Sequence, residues 1–245
     1  MTYCVGILLA SGMVMLSDSR TNAGVDHINT FRKMSRFERP GERCLVLMTA
    51  GNLAITQAVV SVLREAECAG DGRTSLLTAE NMFEAARHVG DTLRAVYARD
   101  AESLSAFGID FNASLILGGQ IAGDPPRLFS IYAAGNFIEA TRETPYFQIG
   151  ESKYGKPILD RVLRWDTSLD EAAKCALISM DSTIRSNLSV GLPLDLVTME
   201  ANVLALRSQV LVDADNAYFS MVRNRWGSAL RDAFDAIPNP DVGLS

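Results

Sequence analysis

The sequence predicts a layered α+β fold, and three observations carry that prediction. Short apolar, β-prone runs come in groups. The stretches with helical spacing come in pairs between those groups, or alone at the end. The resulting order is strands, two helices, strands, two helices, strands, helix. Grouped strands with grouped helices point to stacked layers rather than to an alternating parallel sheet. With 245 residues, 48% hydrophobic and 21% charged, one core is amply supplied. A single domain over 1–245 is expected, loose from about 237 onward.

Residues 2–9 are mostly apolar, Ser11-Gly12 is a turn signal and Met13–Leu16 is apolar again, so a hairpin is expected. Asp18 then falls just beyond the second strand, in a polar stretch. Val25–Met34 reads as an extended excursion that returns Lys33 to the hairpin. Cys44–Met48 is a continuous apolar run, a buried strand ending at Thr49-Ala50-Gly51. Asn52 caps a helix with apolar positions Ile55, Ala58, Val59, Val62, Leu63 and Ala66. A Gly-rich loop follows at Cys68–Ser75. A second helix is expected from near Thr78, with Glu80 and Glu84 in its opening turns. Its stripe is Met82, Phe83, Ala86, Val89, Leu93, Val96 and Tyr97.

Ala113–Leu117, Leu128–Ala134 and Phe137–Ala140 read as consecutive antiparallel strands separated by turns. After Gly150 comes a helix with Ile158, Leu159, Val162 and Leu163. Ser168 and Glu171 form a capping box that opens the next helix. Leu196–Met199 and Val203–Leu206 are the last strands, with Val210–Val212 extending or following them. Asp215 or Asn216 caps a final amphipathic helix through Tyr218, Val222, Trp226, Leu230 and Phe234, which Pro238 and Pro240 stop.

A formal net charge of −6 argues against a nucleic-acid backbone as partner. Cys4, Cys44, Cys68 and Cys175 show no metal-ligand spacing, and His27 and His88 are isolated, so no metal is expected. Three of the cysteines sit in apolar or helical contexts, as in a reducing cytosol. No apolar run reaches the length of a membrane span, and no basic residue precedes Arg20 as a signal peptide would require. The expected location is the cytoplasm.

The chemistry concentrates at the start of the chain. With Met1 removed, Thr2 carries a hydroxyl and a free α-amine, a nucleophile with its own base. A free α-amine has a pKa of about 7.7–8.0. A Lys nearby lowers it further, and an Asp holds the Lys in place. Lys33 and Asp18 are the candidates. Gly51, at a strand-to-helix junction, lets a ligand approach the backbone closely.

These residues resemble the proteasome β-type family of N-terminal threonine hydrolases, and within it the Anbu branch of bacterial ancestral β subunits. The resemblance rests on Thr2 before an apolar strand, Ser17-Asp18-Ser19-Arg20, residues 21–26, Phe31-Arg32-Lys33-Met34 and Thr49-Ala50-Gly51-Asn52. Residues 150–157 and Asp213-Ala214-Asp215-Asn216 extend it over the whole chain. It implies a four-layer α-β-β-α sandwich of the N-terminal nucleophile hydrolase type. Thr2 would be the nucleophile, Lys33 and Asp18 would tune and orient it, and the Gly51 N–H would hold the oxyanion. A small residue after Met1 normally permits its removal, so Thr2 needs no propeptide autolysis.

The family also places a Ser in a Gly-rich loop near the nucleophile. Here Glu151 occupies the expected place, and Ser152 is adjacent. A further family Asp and Ser beside the nucleophile map to Asp181 and Ser189, with a longer gap between them than the family keeps. The implied activity is hydrolysis of a peptide or small amide by a homo-oligomeric ring or open helical ring, without cofactor. A catalytically silent ring-forming subunit and an amidase acting on a small amide or isopeptide are the alternatives. No ATPase-docking tail is recognisable at Gly243-Leu244-Ser245, which leaves an unfoldase partner open.

Overall fold

The computed structural model describes residues 2–22, 28–68 and 74–241. Met1, the middle of the polar excursion with His27, most of the Gly-rich loop after Cys68, and Gly243-Leu244-Ser245 lie outside the described residues.

Tyr3–Leu9 (β1) and Gly12–Asp18 (β2) form the expected hairpin. Both strands are buried along their whole length, which requires cover on both faces. Asp18 is a correction: it is the last residue of β2 and fully buried, not a polar position beyond the strand. Arg20–Asn22 (β3) and Ile28–Thr30 (β4) make a small antiparallel ribbon. It returns the chain to Met34–Arg39 (β5), which pairs with Arg43–Gly51 (β6).

Leu53–Cys68 (α1) starts at Asn52, whose Oδ1 accepts from the Ala54 N–H at 3.0 Å. The second helix, Met82–Ala106 (α2), starts later than expected. Thr78 is used in a local turn, its Oγ1 accepting from the Ser75 N–H, and Asn81 caps the helix through the Glu84 N–H at 3.0 Å. Glu80 therefore precedes the helix.

Ala113–Ile121 (β7), Arg127–Ile131 (β8) and Phe137–Glu139 (β9) complete the sheet β5-β6-β7-β8-β9. The next strand, Tyr146–Gly150 (β10), carries no sequence alternation that marks it, and it leaves that sheet to pair with β1. Ser152–Val162 (α3) and Leu169–Ser186 (α4) follow, the latter opened by the Ser168–Glu171 capping box. Leu194–Glu200 (β11) pairs with β2, and Leu206–Val212 (β12) pairs with β11. Val203 is in the intervening turn, where Asn202 and Leu204 have φ of 68° and 55°. The first sheet is thus β10-β1-β2-β11-β12.

Three apolar clusters separate four layers. One holds α1 and α2 to the β6-β7-β8 face. One holds α3 and α4 to the β1-β2-β11 face. The third, with Cys4, Met13, Met15, Val46, Met48 and Ile116, fills the space between the sheets. The architecture is the α-β-β-α sandwich of the N-terminal nucleophile type. The last helix, Ala217–Asp235 (α5), is capped by Asn216 and buries only Phe219 and Val222. Its expected apolar positions Leu230 and Phe234 are 52% and 65% exposed: among the described residues, the buried part of the helix is confined to its first turns.

Candidate active site

The site forms where β1 begins. Side chains alternate faces along a strand. Tyr3, Val5 and Ile7 pack toward α3 and α4, whereas Cys4 and Leu8 face the second sheet. Thr2 shares the parity of Cys4, so its side chain enters the gap between the sheets. It is buried and lines two cavities, as do Ala50 and Gly51. One cavity, of about 330 Å³, is also walled by Thr21, Arg32, Lys33 and Asn52. The other, of about 430 Å³, is walled by Asn112, Ser114, Gly150 and Glu151.

Asp18 and Lys33 meet directly. Lys33 Nζ donates to Asp18 Oδ1 at 2.7 Å and to the Arg20 carbonyl at 2.7 Å, and both side chains are buried. Asp18 Oδ1 also accepts from the Tyr3 N–H at 3.0 Å, and its Oδ2 accepts from the Gly191 N–H at 3.4 Å. Burial pushes the Asp18 carboxyl up from the ordinary carboxylate range, while Lys33 and these two N–H groups pull against it. The carboxylate therefore joins the ammonium, the start of β1 and the α4–β11 loop.

Gly51 has a φ of +114°, and a Cβ there would lie 2.3 Å from the Asn112 carbonyl oxygen. Only glycine fits that end of β6. Main-chain groups alternate sides along a strand. The Thr49 N–H bonds to the Lys33 carbonyl on the β5 side, and the Asn52 N–H bonds to Asn112 on the β7 side. The Gly51 N–H is therefore directed to the β5 side, where β5 has ended and the cavity opens.

The same alternation orients the main chain of Thr2. Tyr3 turns its N–H to the Asp18 carboxylate at the end of β2, so the carbonyl of Thr2 faces β10. The Thr2 carbonyl accepts from the Glu151 N–H at 2.7 Å. Gly150, with φ +82°, leaves room for this approach, since a Cβ there would lie 1.9 Å from the Thr2 oxygen.

The remaining sequence candidates are placed unequally. Ser152 is the first residue of α3, and its carbonyl accepts from Gln148 Nε2 at 3.3 Å. Glu151, not Ser152, lines a cavity with Thr2, because the main-chain bond to Thr2 brings residue 151 to the site and turns the next one into the helix. Ser189 is half-buried in the α4–β11 loop, two residues before the Gly191 N–H that Asp18 accepts. Asp181 is not brought to Thr2. It lies on the α4 face toward α5, with Oδ2 accepting from Arg185 at 3.1 Å and Oδ1 from Arg223 at 2.8 Å. Its role in the fold is to tie those two helices.

Sequence reasoning missed Tyr3 and Gly191. The Tyr3 hydroxyl accepts from Gln148 Nε2 at 2.6 Å and lies 2.6 Å from Ser179 Oγ, pinning the start of β1 to α4. Burial pushes that phenol well above its ordinary range. Tyrosine in an apolar strand gives no signal of this partner. Gly191 acts through its backbone, which no residue pattern marks.

The proteasome subunit family model matches residues 2–198. Among curated proteins, the proteasome subunit beta of Haloquadratum walsbyi is 27% identical over 192 residues, covering 78% of this chain and 70% of that protein. Among solved structures, Anbu (ancestral beta-subunit) from Yersinia bercovieri is 53% identical with a TM-score of 0.91, covering 98% of this chain and 99% of that one. The helical assembly of the Anbu complex from Pseudomonas aeruginosa matches at 51% identity and a TM-score of 0.93, covering 99% of this chain and 100% of that one. With the hairpin, the four layers and the Asp18–Lys33 pair in place, these matches establish that the chain belongs to the proteasome subunit family, in the part of it represented by the Anbu ancestral β-subunits.

Proposed function

We propose that this protein is a self-assembling N-terminal threonine amide or peptide hydrolase whose nucleophile is exposed by removal of Met1. The observation that carries the reading is the convergence on one cavity of Thr2, Gly51 and Lys33, with Lys33 held by buried Asp18. Thr2 Oγ attacks an amide carbonyl carbon while the α-amine takes the hydroxyl proton. The Gly51 N–H receives the developing oxyanion. The C–N bond breaks, and the leaving amine takes the proton back from the α-ammonium. Water then attacks the ester, giving its proton to the amine. The C–Oγ bond breaks, Oγ is reprotonated and the acid is released. Lys33 supplies positive charge beside this sequence, and Asp18 orients Lys33. Ser189 supports the loop that carries Gly191. No role is assigned to Asp181 or Ser152.

Self-assembly is part of the same reading. The exposed apolar positions of α5, Tyr218, Leu230 and Phe234, are a surface that association would cover. The Pseudomonas aeruginosa relative is described as a helical assembly. The four cysteines are free thiols, as a cytoplasmic location would leave them.

The deciding experiment is the intact mass of Met1-free protein before and after incubation with a threonine-directed β-lactone. One adduct, lost in Thr2→Ala while the fold is kept, is expected. Absence of an adduct in protein shown to lack Met1 would favour the silent assembly subunit, for which the exposed α5 surface serves equally well.

A further inference from the structure

Among the described residues, Glu151 is a half-buried carboxylate for which the structure provides no side-chain partner. It stands at the N-terminus of α3, yet it makes no capping hydrogen bond with its side chain. It lines the same cavity as Thr2 and Gly51. Its own N–H is bonded to the Thr2 carbonyl at 2.7 Å, which fixes the two residues as neighbours across the β1–β10 edge. The nitrogen that would become the α-amine belongs to Thr2 itself, the residue whose carbonyl meets Glu151.

We propose that Glu151 is the positioning residue for that amine: its carboxylate pairs with the α-ammonium that Met1 removal creates on Thr2. This rests on the N-terminal nucleophile reading above and extends it to the group that holds the base. While Met1 is attached, the nitrogen is a neutral amide and Glu151 has no charge to meet. Removal of Met1 generates the missing cation at the end of β1. The pairing restrains the amine and favours its protonated form, opposing the positive charge of Lys33. The charged groups of the two cavities that Thr2 lines are Arg32 and Lys33 from the segment before β5 and Glu151 from the β10–α3 junction, with Asp18 buried behind Lys33 at the end of β2. The facing ends of β6 and β7 contribute Gly51, Asn112 and Ser114, none of them ionised. Glu151 is the carboxylate that lines a cavity with Thr2; Asp18 is engaged by Lys33, Tyr3 and Gly191.

A carboxylate at a helix N-terminus is also favoured by the helix dipole alone. The two roles separate by titration. The probe is the Thr2 methyl resonance in Met1-free protein with labelled threonine methyls, identified by its loss in Thr2→Ser. Its pH midpoint reports the α-amine. Glu151→Gln is expected to lower that midpoint by about 1 unit, and Glu151→Asp, which keeps the charge, to stay nearer the parent. Thermal melting identifies folded variants, and the two substitutions keep the comparison available if one folds poorly. Coincident midpoints for the parent and Glu151→Gln would overturn the proposal, leaving only the dipole role. The rate of β-lactone adduct formation against pH is then read beside it. If the amine is the base, its midpoint moves with the methyl titration. No adduct in the parent would sink the hydrolase reading, while the methyl titration would still decide the pairing.

Discussion

Lys33 Nζ lies 2.7 Å from Asp18 Oδ1, and the two side chains are 6% and 0% exposed. A pair so enclosed differs from a surface salt bridge, because removing one partner leaves the other charge buried without compensation. Asp18→Asn is expected to lower the unfolding free energy by about 3–5 kcal/mol. The double change Asp18→Asn with Lys33→Met should recover part of that loss. Denaturant unfolding of the three proteins tests this. A loss under about 1 kcal/mol would mean that the pair behaves like an exposed one.

Gly150 and Gly41 both have positive φ, of 82° and 78°, but only Gly150 is crowded. Gly41→Ala should cost about 1–2 kcal/mol for its left-handed conformation. Gly150→Ala adds an overlap with the Thr2 carbonyl, so it should cost more and displace Thr2. The expected outcome is a larger fall in stability with loss of the β-lactone adduct. Equal stability losses and an unchanged adduct would count against the close approach of β10 to Thr2.

Asp195 is buried, with Oδ1 3.3 Å from Arg32 and Oδ2 lacking a partner among the described residues. Burial pushes its carboxyl up, opposed by Arg32 and Arg36. A carboxyl raised in the folded state favours folding when protonated. Its penalty is therefore absent below the unfolded pKa of about 3.9 and complete above the raised folded value. Asp195→Asn should stabilise the protein at pH 7, and the gain should vanish as pH falls through the carboxylate range. Ser17 Oγ, across the β2–β11 pair and without a partner among the described residues, is a neighbour for the new amide. Melting curves at pH 7 and pH 4 check the sign; a gain that persists in acid would contradict it.

Asp181 bridges Arg185 of α4 and Arg223 of α5 with a carboxylate that is 1% exposed. Asp181→Ala should cost about 1.5–3 kcal/mol, the range for hydrogen bonds to charged groups. The β-lactone adduct rate of the folded variant should be unchanged. A rate loss at unchanged stability would return Asp181 to the site.

The candidate site was legible to different depths. Thr2, Asp18 and Lys33 could be read together because their chemistry lies in the side chains and the intervening excursion is short. Gly51 could be read because only glycine tolerates that strand end. Glu151 was visible as a departure at a glycine, but its nearness to Thr2 depends on β10 pairing with β1. The position of Asp181 is not legible in sequence, because an Asp in a helix looks the same whether it faces Thr2 or two arginines. The second helix begins after Thr78, at the Asn81 cap, because the Ser75–Thr78 turn imitates a cap in sequence.

The sequence by itself determined the layered α+β class, the hairpin, the helix caps at Asn52 and Ser168, and the residues whose chemistry fits the proposed nucleophile, counter-ion and oxyanion donor. These follow from local periodicity, capping and side-chain chemistry, all of which act within a few residues. Only the tertiary structure decided that β10 leaves its sequential neighbours for β1, that Asp18 is buried, and that Gly191 and Tyr3 hold it through their N–H groups. It also decided that α5 buries only Phe219 and Val222 and leaves Leu230 and Phe234 exposed. Those outcomes arise because backbone donors carry no residue signature. Which edge a strand joins is settled by burying both sheet faces at once, across more than a hundred residues of sequence separation, as between Gly191 and Asp18.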